Sequence, residues 1–164
     1  MTGLLWHNTS QNQPSCYINF MRIALIMSCL PLPALAWEFS PDPICTLTHQ
    51  ADTAEIAITY DVTLPEYALF ITLRSGEWDD APSFEITFQG GIPVTIGTTR
   101  HALSGDSATL SVRDRGFDNV LDGIEFNTAL AAGTGAQFIT ADTSNAAAAV
   151  QAFRNCPADA PALS

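Results

Sequence analysis

The sequence contains no lysine, so its six basic residues are all arginine; they face 17 acidic residues, for a formal net charge of −11. A chain charged in this way repels phosphate backbones and anionic lipid headgroups, which argues against nucleic-acid and membrane-surface partners. Without lysine there is no Gly-x-x-x-x-Gly-Lys-Ser/Thr loop, and nucleotide-driven chemistry is excluded. Histidine is also scarce. His49 and His101 stand far apart, each without a neighbouring pair of ligands, so no transition-metal centre and no cofactor is expected. A Gly-x-Ser-x-Gly elbow is absent as well. No run in the body of the chain approaches the ~18–20 apolar residues of a membrane span. Acidity alone is a solubility feature and names no partner.

One short apolar stretch stands out. Met21-Arg22 is followed by Ile23-Ala24-Leu25-Ile26-Met27 and then by Ala34-Leu35-Ala36, a small-x-small cleavage site. This is the pattern of a secretory signal peptide over 21–36, and it predicts a periplasmic or secreted protein that begins at Trp37. Residues 1–20 have no positive charge and no periodicity, and read as an extension upstream of the native start. Arg22 leaves with the leader, so the exported part is one unit more acidic than the whole. The remainder fits one domain, 37–157, with a loose tail over 158–164.

Two cysteines remain after export, Cys45 near the beginning and Cys156 near the end. An even count in an oxidising compartment predicts a disulfide between them rather than two buried thiols. Such a bridge closes a loop of about 110 residues, worth about 4–5 kcal/mol in the chain-entropy description.

The middle of the chain alternates with period two. Ala54, Ile56, Ile58 and Tyr60 share one face. Tyr67, Leu69, Ile71 and Leu73 repeat the pattern, as do Phe84, Ile86 and Phe88, and Ala108, Leu110 and Val112. Shorter strands are expected near Cys45–His49, Pro93–Gly97 and Gln137–Thr140. One polar face per strand predicts antiparallel sheets covering a core on one side. Turn residues separate them at Pro65, Gly76, Gly90-Gly91 and Gly105-Asp106. After Asp114 the spacing becomes helical: Phe117, Val120, Leu121 and Ile124 predict a short helix over 118–125, weakened by Gly123. A second helix, capped by Asp142 or Ser144, carries Ala146, Ala149, Val150, Phe153 and Cys156 on one face and stops at Pro157. The predicted architecture is mainly β: an antiparallel sandwich or open barrel, with the C-terminal helix packed on it.

The densest polar stretch is Arg113-Asp114-Arg115, followed by Asp118 and Asp122. Acids spaced by four could share a helical face and offer oxygen ligands to Ca²⁺. The order fails the EF-hand pattern, however, because Val120 and Ala129 fall where ligands belong. The competing reading is structural: acids near a helix start, paired with Arg113 and Arg115. A hydrolytic set can be written from His101, a carboxylate such as Asp114, and Ser104, Ser107 or Ser111. Trp78 with Asp79-Asp80 would suit glycan binding, although Trp78 reads better as an edge of the core.

The segment Thr95–Phe126 holds Thr95-Ile96-Gly97-Thr98, His101, Asp114-Arg115-Gly116-Phe117 and Asn119–Phe126. It resembles a set of small, uncharacterised exported proteins of alphaproteobacteria. Some of those carry the label of an ABC excinuclease component, which export, acidity and the missing lysine contradict. The ending Ala146–Cys156 is more distantly similar to periplasmic proteins of the invasion-associated locus B type. That likeness implies a β-rich periplasmic fold and transfers no catalytic residue. The function expected is a non-enzymatic binding or accessory domain whose partner is an envelope protein or a small ligand. The alternatives are a small hydrolase using His101, and a calcium- or glycan-binding module.

Overall fold

The structure, a computed structural model, describes residues 36–159. The upstream extension, the signal peptide up to Leu35 and the end of the tail lie outside them.

Among the described residues, ten strands and two helices follow one another. Strands β1 (Glu38–Ser40), β2 (Cys45–Gln50), β3 (Ala54–Asp61) and β4 (Glu66–Leu73) come first, then β5 (Phe84–Gln89), β6 (Val94–Thr98), β7 (His101–Leu103) and β8 (Thr109–Asp114). Helix α1 (Asp118–Phe126) leads to β9 (Ala129–Thr134), β10 (Gln137–Asp142) and helix α2 (Ala147–Asp159). One sheet has the order β1-β2-β3-β4-β8-β7 and the other β10-β9-β5-β6; every pairing is antiparallel. Neither sheet closes into a barrel, so the architecture is the sandwich-like form.

The alternation read from the sequence is the alternation seen. Leu47, Ile56, Ile58, Leu69, Ile71, Leu110 and Val112 line the inner face of the first sheet, and Phe84, Ile86, Phe88 and Leu130 answer from the second. Each fully buried aliphatic or aromatic side chain contributes about 1.5–3 kcal/mol. The Trp78 indole is buried and donates to the Ile71 carbonyl at 3.1 Å. The next residue serves the other sheet: the Asp79 carboxylate accepts the N–H groups of Ala136 and Gln137 at 2.7 and 3.0 Å. Trp78-Asp79 thus ties the first sheet to the β9–β10 turn, where Gly135 takes a positive φ of 55°.

The helices cover the end of the first sheet that carries Cys45, Tyr60, Tyr67 and Asp114, which are neighbours in register. Phe117, Val120, Leu121 and Ile124 of the α1 segment are buried as expected, whereas Phe126 is exposed. Gly123 is required there rather than tolerated: a Cβ would lie 2.4 Å from the Phe88 ring. Buried Asn127 closes the helix, donating to the Gly123 carbonyl and accepting from the Gly91 N–H. In α2, Val150, Phe153 and Cys156 face inward. The disulfide between Cys45 and Cys156 joins β2 to this helix across 111 residues, with a Cα separation of 6.1 Å.

Three expectations need correction. Pro157 does not stop α2, which runs to Asp159; in a last turn the ring forgoes one backbone hydrogen bond and keeps a helical φ. Neither Asp142 nor Ser144 caps α2. Asp142 instead accepts the Ser144 N–H in a turn ahead of the helix, whose first backbone bond, Val150 to Ala146, starts further on. The strand β9 and the short strands β1 and β7 go beyond what the sequence pattern predicts.

Candidate functional site

A cavity of about 210 Å³ opens where β6, β8 and the start of α1 meet. Its floor comes from both sheets and the helix: Leu69, Phe84, Ile86, Ile96, Val112, Phe117 and Val120. Its rim is polar, with Thr98, Arg100, Asp114 and Asn119. Arg100 stands at the corner between β6 and β7, and its guanidinium pairs with Asp114 at the end of β8. Asp114 also accepts the Arg115 N–H at 2.7 Å. That backbone hydrogen bond, with Arg100 beside it, holds the Asp114 carboxyl below the usual carboxylate range. An apolar hollow with a few charged groups at its mouth is the ordinary form of a small-ligand site.

The residues singled out in the sequence are not gathered here. Of His101, Arg113, Asp114, Arg115, Asp118 and Asp122, only Asp114 lines the cavity. Arg113 points to the opposite face of β8, where it pairs with Glu66 at 3.3 Å and lies over the Phe70 ring. Asp118 and Asp122 both reach Arg154 of α2, at 3.3 and 2.5 Å. A third carboxylate, Glu125, approaches the same guanidinium at 3.4 Å. The acids of α1 are therefore paired by an arginine 32 residues beyond Asp122, not by Arg113 and Arg115. Asp114 lies on β8 and does not share the helical face. Among the described residues no group of three His, Cys, Asp or Glu side chains is placed to hold a metal ion.

The hydrolytic set is not assembled among the described residues. His101 faces the interior beside Phe84, ring centroids 6.4 Å apart. Ser111 lies on the outer face and donates to the Ala102 carbonyl. Ser104 donates to Asp106, and Ser107 completes the same turn. No serine among the described residues is hydrogen-bonded to His101, and the Asp114 carboxylate bonds to Arg100 and the Arg115 N–H rather than to His101. The glycan reading loses its platform in the same way, since Trp78 is buried and Asp79 is engaged by backbone N–H groups.

A second, wider cleft of about 470 Å³ lies at the other end, lined by His49, Asp52, Thr128, Thr140 and Asp142 among others. His49 is separated from His101 by the strands β3, β4 and β8. It is only 2 % exposed, and burial pushes its imidazole below its ordinary value against the opposing pull of the Ala36 backbone and Asp142.

Arg100 is the rim residue that sequence reading missed. Its position two residues after a short strand marks a corner, but nothing local says that the corner closes on Asp114. No protein-family model matches this chain, and no curated protein or solved structure matches it either.

Proposed function

We propose that this chain is an exported, non-enzymatic binding domain of the cell envelope that holds a small ligand, or one side chain of a partner, in the cavity between β6, β8 and α1. The observation that carries the reading is the cavity itself: an apolar floor to which β4, β5, β6, β8 and the start of α1 all contribute, under a single Arg100–Asp114 pair. A core that needed only to be closed would fill this space, because interiors pack to the density of organic crystals. The Cys45–Cys156 bridge supports export, since such bonds persist in oxidising compartments. The segment Thr95–Phe126, whose residues resemble small exported alphaproteobacterial proteins, supplies most of the lining.

The test is a titration of the disulfide-bonded domain with a library of small amphiphiles, read by methyl NMR shifts of Ile96, Val112 and Val120. Binding should shift these methyls, and Ile96→Trp, which fills the cavity, should abolish the effect while the melting temperature is kept. Ligands that bind Ile96→Trp unchanged, or that shift only distant residues, count against the reading.

A further inference from the structure

We propose that the ligand of this cavity is a free apolar α-amino acid, its ammonium group on Asp114, its carboxylate on Arg100 and its side chain on the floor of Phe84, Ile96 and Phe117. The proposal rests on the cavity being a binding site, as argued above, and adds the chemistry of what enters it.

Size comes first. An apolar cavity of about 150 Å³ holds benzene, so 210 Å³ accommodates about eight non-hydrogen atoms. The side chains of leucine, methionine and phenylalanine fall within that limit, and that of tryptophan exceeds it.

Charge comes next. The rim offers one positive and one negative group side by side, while the whole chain carries −11. A simple anion would meet Arg100 but also the repulsion of the acidic surface and of Asp114. A simple cation would meet Asp114 but also Arg100. A ligand with both charges on neighbouring groups satisfies both residues and is indifferent to the net field.

The valences are also open. Arg100 contacts Asp114 through Nη2, and its side chain is 68 % exposed. The rest of its five donors remain for a planar carboxylate, which a guanidinium can grip with two parallel bonds. Asp114 is the better-anchored partner: its Oδ1 takes the Arg115 N–H at 2.7 Å, a bond that does not involve Arg100. Its Oδ2 faces Arg100 and has a lone pair left for an ammonium. Asn119 accepts the Val120 N–H through Oδ1, which leaves its amide N–H donors unengaged among the described residues. An exposed ion pair contributes little to stability, so swinging Arg100 onto the ligand costs little.

The experiment compares three probes by calorimetry and methyl NMR on the disulfide-bonded domain: L-phenylalanine, 3-phenylpropionate, which lacks the ammonium, and 2-phenylethylamine, which lacks the carboxylate. L-Phenylalanine should bind about tenfold or more tightly than either partial ligand and shift the Ile96, Val112 and Val120 methyls. Arg100→Gln and Asp114→Asn should each weaken it by about tenfold, whereas Arg113→Gln, on the other face of β8, should leave it unchanged. If Asp114→Asn fails to fold, exposed Arg100→Gln carries the test alone. Equal binding of all three probes at these methyls overturns the amino-acid assignment and leaves the binding cavity standing. Absence of any shift at these methyls with all three probes, together with no effect from the wider library, overturns both.

Discussion

Trp37 and His49 stack face to face, with ring centroids 4.8 Å apart and planes 11° from parallel. Trp37 also donates its indole N–H to the Asp142 carbonyl at 2.9 Å, fixing the start of the described chain to the end of β10. His49 is therefore packed against the Trp37 ring at 2 % exposure, which favours its neutral form. Its folded pKa lies below the ordinary 6.5 because of burial. The unfolded chain then binds more protons as pH falls through that value, so this contribution to stability is complete above about pH 6.5 and is lost progressively below it. Unfolding at a series of pH values should show stability declining as pH falls below about 7, with a shallower decline in His49→Gln. Identical slopes for the two proteins would remove His49 as the cause.

Trp37 is the first core residue among the described residues, and it follows the proposed cleavage site after Ala36. Intact-mass analysis of exported material should show a chain that lacks residues 1–36 and begins at Trp37. Trp37→Ala should cost about 3–5 kcal/mol, as large-to-small changes at buried aromatic positions do. Exported protein that retains Met1 would count against the cleavage site.

The disulfide fastens the start of β2 to α2, which meet at one end of the first sheet. Cys45→Ser with Cys156→Ser should lower stability by about 2–5 kcal/mol. Peptide mapping without reductant should recover the linked pair, and two freely alkylated thiols in the native exported protein would exclude it.

The parts of the fold that the sequence discloses divide from the rest along physical lines. The strands β3, β4, β5 and β8 are legible because branched and aromatic residues alternate with polar ones at a period set by the pleat. β9 is not, since Ala129-Leu130-Ala131-Ala132-Gly133-Thr134 has little strand preference of its own. It is a strand because β5 and β10 pair with it on both sides. The three-residue β1 and β7 are too short for any period. The site divides similarly. Asp114 falls within the stretch that composition marks, but its partner Arg100 lies across a corner. The acids of α1 meet Arg154, which periodicity places on α2 without saying which helix it faces.

Gly123 illustrates local preference yielding to packing. Alanine there would gain up to about 1 kcal/mol in helix propensity. Its Cβ would press on the Phe88 ring, which is fully buried, and overpacking of that kind costs about 1–3 kcal/mol or more. Gly123→Ala should therefore destabilise in chemical denaturation, and Phe88→Leu should recover part of the loss in the double variant. Additive effects of the two substitutions would show that they do not meet.

The stretch 113–125 is predicted to be structural before it is a metal site. Phe117 is 3 % exposed and stacks on Tyr67, centroids 5.6 Å apart, so Phe117→Ala should lower stability by about 3–5 kcal/mol. Asp118, whose side chain is 87 % exposed, shares Arg154 with Asp122 and Glu125, so Asp118→Asn removes only one exposed partner of three. Its cost should stay below about 1 kcal/mol. Arg154→Met should cost more than either Arg100→Met or Arg113→Met, because it leaves three carboxylates facing one another across the α1–α2 contact. Calorimetry with and without Ca²⁺ separates this arrangement from a metal site. With Arg154 already bridging all three acids, millimolar Ca²⁺ should leave the melting temperature nearly unchanged. A strong rise that disappears in Asp118→Asn with Asp122→Asn would mean that the cation, not the arginine, is their proper partner.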